Sequence, residues 1–430
     1  MTSSAFSLEI STTVLDNGLR VIAAPDHSTP LCAVAVVYDV GFRSEPESRT
    51  GFAHLFEHLM FQGSANVAKA EHPRLVEGAG GVMNGHTRPD LTSYFEALPS
   101  NGLDLALWLE ADRMSSLALN EENLANQVAV VKEEIRVNVM NRPYGGFPWI
   151  SLPPVAFDTY PNAHNGYGDF SHLEDATLDD AADFYRRFYT PSNAVLAIGG
   201  DCEAERAFSL ARRFFGHIEP REAPPRPSFS EPPITKERRA TISDPLAPTP
   251  AVAVAYRAPD PVKQPEEMLA YAVAASILAD GDASRLRKRL VHQDRSVTDV
   301  SCYLGTFGDA FSMRDPILFQ VLLFHPGTTS TDELLVALDD ELGKLAASGP
   351  TAQELARAVA KASASYWSTM DQVLERTLAM ADAELIHGDP SLVGKLPGLI
   401  EQVTAAQVQA AAAALAPNTR AILELEPARQ

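Results

Sequence analysis

The chain has 430 residues, 45% hydrophobic and 21% charged, a composition that suits a soluble globular protein of two to four domain-sized units. A formal charge of −21 excludes a nucleic-acid partner, whose phosphates require a basic face, and leaves room for a neutral or basic peptide. Three widely separated cysteines (Cys32, Cys202 and Cys302) exclude a disulfide framework, and no apolar run approaches the roughly 18 residues of a membrane span. The N-terminal stretch lacks the basic start and apolar segment of a secretory leader, so the cytoplasm is the expected location.

Taken in order, LEISTTVL and LRVIAAP alternate around Asp16-Asn17-Gly18, the pattern of a β-hairpin. Leu31 to Gly41 is a near-continuous apolar run of the kind buried in a sheet. Next comes GFAHLFEHLMFQGS from Gly51 to Ser64, an amphipathic helical segment. HPRLVEGAGGVMNGHT follows, and its Gly78, Gly80, Gly81 and Gly85 imply a backbone that is mobile or closely approached. LTSYFEALP reads as a strand, NGLDLALWLEADRMSSL as a helix, and Glu121 to Val139 as a second, longer helix. A Pro/Gly/aromatic loop leads to a helix (LDDAADFYRRFY), a buried strand (NAVLAIGG) and another helix (AERAFSLARRFF).

Proline and charge then crowd the stretch before Pro250, which reads as an extended linker. Beyond it the first half is echoed. TPAVAVAYRAPD from Thr249 follows TPLCAVAVVYDVG from Thr29, and VTAAQVQAAAAALAPNTRAILEL follows LDDAADFYRRFYTPSNAVLAIGG. A duplication on this scale implies an α+β protein of two homologous α/β domains, each a sheet packed with helices. The expected division is a metal-binding domain over 1–217, a linker over 218–250 and a homologous non-catalytic domain over 251–430.

His54, Glu57 and His58 form H-x-x-E-H. On a helix, residues four apart share a face one turn apart, so His54 and His58 aim two imidazoles at one point, with Glu57 beside them. This is the zincin order reversed, the inverzincin motif. A catalytic zinc needs a third protein ligand. Glu133 and Glu134 are the candidates, on a helix whose apolar face is Leu124, Val128, Val131 and Ile135. Glu134 shares an edge of that face with Gln127, whereas Glu133 points to the other side, so Glu134 is the expected ligand. The equivalent helix of the second half, EEMLAYAVAASIL, carries no histidine.

HLFEHLMFQGS, GGVMNGHTRPDLTSYFEALP and VVKEEIR together resemble the insulinase/pitrilysin-like inverzincin metallopeptidases, which include mitochondrial processing peptidase and its bacterial relatives. The resemblance extends over the whole chain, because that family is built from paired α/β domains. It implies one Zn²⁺ per chain held by His54, His58 and Glu134, with Glu57 as general base for hydrolysis of short or unfolded peptides. The metal would lower the pKa of its water and polarise the scissile carbonyl. The family places peptide substrates along an edge strand, here Gly81, Val82, Met83 and Asn84. It also encloses them in a clamshell, of which two domains make half.

Two departures stand out. Many members carry a glutamate where this chain has Gln127, behind the ligand set. Active members also place an Arg and, seven residues later, a Tyr in the second half, where this chain has Val291 and Thr298. The cluster Arg285, Arg287, Lys288 and Arg289 reads instead as a surface helix end. These gaps imply a heterodimer with a homologous subunit that lacks the zinc motif and supplies the Arg/Tyr pair; a homodimer is the fallback. A non-catalytic assembly subunit or a peptide-binding carrier of the same fold is the competing reading.

Overall fold

A computed structural model describes residues 8–305 and 310–428, which form two compact units. The first is built on a six-stranded sheet, β1 (Ser11–Val14), β2 (Arg20–Pro25), β3 (Leu31–Tyr38), β4 (Val82–Thr87), β5 (Thr92–Pro99) and β6 (Ala194–Gly200), in the order β1-β2-β6-β3-β5-β4. The β1–β2 hairpin forms where the alternation places it, and Gly18 takes φ +85° in its turn. Burial of nearly every residue of β3 and of all of β6 means that the sheet is covered on both faces. Its helices include α1 (Phe52–Leu59), α2 (Glu71–Gly78), α3 (Leu103–Ser115), α4 (Glu121–Ile135, all but its last two residues), α5 (Leu178–Phe188) and α6 (Ala204–Phe215). Among the described residues strand β4 ends the sheet and pairs with β5 alone, Val82 opposite Ala97 and Thr87 opposite Thr92.

The second unit holds a five-stranded sheet of β7 (Arg238–Asp244), β8 (Ala251–Arg257), β9 (Asp299–Leu304), β10 (Leu318–Phe324) and β11 (Arg420–Pro427), in the order β7-β11-β8-β10-β9. Helices α7 (Pro265–Ala279), α8 (Thr331–Ser348) and α9 (Ala405–Ala414) belong to it, α7 packing on β9 and both α7 and α8 on α9. The duplication is visible in the pairing. Parallel β2–β6 has its counterpart in parallel β7–β11, and antiparallel β6-β3-β5-β4 in β11-β8-β10-β9.

The units are not consecutive in sequence, and here the expected division is corrected. Residues 134–165 group with the second unit and residues 367–396 with the first. In the first unit the helix Val373–His387 packs on β3 and β6. Gly199 admits it, since a Cβ there would lie 2.2 Å from Thr377 Oγ1, and Arg376 pairs with Asp26. In the second unit Phe147, Leu152 and Phe157 join Leu318 and Leu423 in one apolar core, which holds the 134–165 segment. The proposed linker 218–250 also contains β7, whose alternating sequence pairs with β11. Among the described residues no helix is long and apolar enough to cross a membrane.

Candidate metal centre

Helix α1 is short and held at its start. The buried Glu45 carboxylate accepts from Gly51 N (2.8 Å) and Ala53 N (2.7 Å), which satisfies free amides at the helix N-terminus and complements its dipole. Gly51 takes φ +87°, and a Cβ there would lie 2.7 Å from Tyr167 O. Phe52, Ala53, Leu55, Phe56 and Leu59 are buried; Phe56 packs against Phe184 at 4.8 Å and Tyr189 at 5.5 Å between ring centroids. Burial of that face leaves His54, Glu57 and His58 half-buried on the other. The two imidazoles stand edge to face at 4.9 Å, and Tyr167 lies against His54 at 5.1 Å.

Helix α4 turns out as its periodicity requires. Leu124, Val131 and Ile135 of the expected face are buried and Val128 is half-buried, while Glu133 is exposed and Glu134 is half-buried. One donor atom each from His54, His58 and Glu134 lies within 4.8 Å of the others. Ligands about 2.1 Å from a shared zinc lie up to about 4.2 Å apart, so small side-chain movements suffice to close the set. Two imidazoles and a carboxylate, all partly exposed, are the donor chemistry of an open zinc site. Directly after Ile135 the chain widens into a π-type turn over Arg136–Met140.

The edge strand meets α1 at close range. A Cβ on Gly85 would lie 3.2 Å from Glu57 Cγ and 3.3 Å from the Phe61 ring, tighter than an ordinary contact, so a larger residue would have to push these side chains aside. Gly81 is likewise crowded, 2.8 Å from Leu98 Cβ and 2.9 Å from Ala97 O. Of the alternatives for the glycine-rich stretch, close approach is the one found at both positions. Two residues beyond Gly85, Thr87 Oγ1 donates to Glu57 Oε2 at 2.7 Å. No reading of the sequence singled out Thr87; its place two residues on from a glycine in a strand is the signal that could have found it. Val82 and Asn84 are exposed on the edge strand and Met83 is half-buried, opposite Glu96.

Beneath Met83 lies a second ionisable group that the sequence reading missed. His72 on α2 meets Glu96 on β5 at 2.5 Å, and Arg113 on α3 pairs with Glu110; all four are buried. Arg113 also lies 4.4 Å above the Tyr94 ring and 4.9 Å above that of Phe61. Burial pushes the Glu96 carboxyl up to about 8 and the His72 imidazole down to about 3, so the pair carries one proton between them at neutral pH. His72, Glu96 and Glu110 also fall within 4.8 Å of one another, but the buried Arg113 guanidinium already supplies the cation there. The open, partly exposed donor set is the one on α1 and α4.

Other expected residues lie elsewhere. Gln127 is buried and its amide donates to Asn126 Oδ1 (2.9 Å). In the second unit Thr298 donates through N (2.7 Å) and Oγ1 (3.0 Å) to Phe324 O, and Val291 is half-buried in a π-type turn over Arg287–Gln293. Arg285 is engaged by Glu354 at 2.8 Å, Arg287 by Asp299 at 2.7 Å and Arg289 by Glu341 at 3.1 Å, as befits a surface helix end. His172 bonds Thr50 (2.8 Å), and His164 stacks on Tyr160 at 4.4 Å.

Comparison with known proteins adds three findings. The family description Insulinase (Peptidase family M16) matches residues 20–143, and Peptidase M16 inactive domain matches residues 175–362. The zinc protease PqqE of Helicobacter pylori is 28% identical over 336 residues, 77% of this chain and 74% of that protein. Among solved structures, a protease from Helicobacter pylori has a TM-score of 0.90 at 24% identity, covering 98% of this chain and 100% of that one. The periplasmic protease PqqL from Escherichia coli aligns at TM-score 0.77 and 17% identity over 98% of this chain but 48% of its own.

Proposed function

The chain belongs to the insulinase/pitrilysin-like family, peptidase family M16, and from this membership together with the donor geometry we propose that it is a zinc metalloendopeptidase acting on short or unfolded peptides. The observation that carries the reading is the convergence of His54, His58 and Glu134 to within 4.8 Å. These three would hold one Zn²⁺ per chain. When bound, the metal acidifies a water to a pKa of about 7 and polarises the scissile carbonyl.

The chain's own residues do the rest. Glu57 takes the proton released at the attacking oxygen and returns it to the leaving amine. Thr87 holds the Glu57 carboxylate from the strand side with its 2.7 Å hydrogen bond. The open edge of β4 offers backbone N–H and C=O groups to an extended peptide, and Gly81, Val82, Met83 and Asn84 lie along it. Zinc analysis and cleavage of an unstructured peptide test the reading. One zinc per chain, with activity abolished by a chelator and restored by zinc, is expected; a zinc-loaded chain with its full partner complement and no hydrolysis would refute it.

The partner follows from what the second unit lacks. The family resemblance implies an Arg and a Tyr where this chain has Val291 and Thr298, and loss of one oxyanion donor costs about 10²–10³ in rate. A homologous subunit that has that pair and lacks H-x-x-E-H supplies it and completes a peptide-enclosing chamber. The fold of this chain accounts for 48% of PqqL, which supports a two-part assembly. Purified alone, the chain is expected to bind zinc and cleave poorly, with turnover restored by the partner. Full activity of the isolated chain, unchanged by replacing Thr298, would leave a homodimer.

A further inference from the structure

Strand β4 has two faces, and the chemistry described so far uses one. Gly85 and Thr87 face α1. Alternation turns His86 and the next residue of its parity, Arg88, to the other face, where the His86 ring lies 5.6 Å from that of Phe95. On that face are hydrogen-bonding atoms with nothing to bond. Nε and Nη1 of Arg88 and Nε2 of His86 are closed off from solvent and have no partner among the described residues, although both residues keep part of their surface exposed. The nearest carboxylate along the chain, Asp90, is committed to Arg43, whose Nε and Nη2 reach it at 3.0 and 2.6 Å. The backbone at Arg88 is fixed as well, its N donating to Leu91 O (2.8 Å) and its O accepting from Phe42 N (3.2 Å).

Two guanidinium nitrogens buried with no acceptor among the described residues are costly, and in a chain of net charge −21 this locally positive spot stands out. A peptide added to the open edge of β4 places alternate side chains on this face, next to Asn84, His86 and Arg88. We propose that Arg88, with His86 beside it, is a subsite for a carboxylate of the bound peptide. Arg88 presents the planar fork that receives a carboxylate through two N–H bonds. His86 adds a single hydrogen-bonding nitrogen, and its burial and the neighbouring Arg88 hold it neutral, its pKa down to about 3. The inference rests on the peptidase reading for its substrate, but its test does not.

The measurement is equilibrium binding of fluorescent peptides to the full chain, made with a Glu57→Gln variant so that cleavage does not intrude. A peptide scanned with Glu against Gln at successive positions is expected to bind about tenfold tighter with Glu at alternate positions on one face. Arg88→Gln removes that preference while leaving the Gln peptide's affinity unchanged, and Arg88→Glu favours Lys at the same positions. Arg88→Lys, which keeps the charge without the fork, retains a reduced preference and guards against misfolding of the other variants. Peptides with free and amidated C-termini separate the two sources of carboxylate: a preference that follows the free terminus assigns the subsite to the terminal carboxylate, one that follows Glu to a side chain. Binding without any Glu or free-terminus preference, or a preference that survives Arg88→Gln, overturns the subsite. A zinc-loaded wild-type chain with its full partner complement that binds these peptides with the preference yet never cleaves them overturns the peptidase reading alone.

Discussion

The two units share a sheet topology and differ in the helices laid on it. In the first, α1 buries five of its eight residues and keeps His54, Glu57 and His58 at the surface of the packing. In the second, α7 buries Met268, Leu269, Val273, Ile277 and Leu278, and EEMLAYAVAASIL carries no histidine. The edge strands differ in the same sense. Strand β4 carries Gly85 and Thr87 against Glu57, whereas β9, with the sequence DVSCYL, has no glycine through which α7 could approach as closely. One architecture thus supports either a site or a core, and a few side chains on one helix and one edge strand decide which.

The largest effects should come from breaking what α1 and α4 share. Glu134→Gln should empty the site and reduce hydrolysis to background, while Glu133→Gln, exposed in the same helix, should leave metal content and turnover intact. Metal analysis of the two variants decides this; an empty site in Glu133→Gln would reverse the assignment. Glu57→Gln should retain zinc and lose about two orders of magnitude in turnover, because the base is gone while the ligands stay. Near-normal rates in a zinc-loaded Glu57→Gln protein would remove that residue from the mechanism.

Much of this contrast could be read in advance. H-x-x-E-H, the apolar run of β3, the hairpin at Gly18 and the face that separates Glu134 from Glu133 are local patterns, and each appears where its periodicity puts it. The interleaving of the units was not legible. It depends on a helix near residue 380 fitting against Gly199, a contact between distant segments that leaves no periodic trace in either. Strand β7 was hidden because the prolines around it dominate the composition. Glu96 did leave a trace, as the one charged residue in the strand LTSYFEALP, but its partners His72, Glu110 and Arg113 come from two helices.

A moderate effect is expected at Thr87. Its hydroxyl holds Glu57 and contributes no reacting atom, so Thr87→Val should lower kcat by about tenfold, the scale of one hydrogen bond to a charged group, with KM nearly unchanged. Thr87→Ser keeps the donor and should recover most of the loss. Equal losses in the Val and Ser variants, or a loss confined to KM, would show that Thr87 merely shapes the strand.

The smallest effect concerns stability, and it separates the units by pH. Glu96 holds its proton to about pH 8 in the fold against 4.5 for an ordinary glutamate, so between those values the unfolded chain binds fewer protons and stability falls as pH rises. His72 works in the opposite direction: with its pKa down to about 3 from 6.5, the unfolded chain binds more protons between those values, and stability rises with pH. From about pH 4.5 to 6.5 the two slopes oppose each other and the pair's contribution is level; from 6.5 to 8 only the Glu96 loss remains, on the order of 1–2 kcal/mol. In the second unit, β10, which occupies the place of β5 in the sheet order, buries the neutral amide Gln320, whose side chain donates to Gly305 O, so it has no such proton to lose. Hydrogen exchange resolved by segment should therefore show β5 and α3 opening more readily from pH 6.5 to 8 than at pH 5.5, after correction for the intrinsic exchange rate, with β10 unaffected. Glu96→Gln replaces the titrating group by an amide and should flatten the β5 profile; a slope that persists in that variant would place the proton elsewhere.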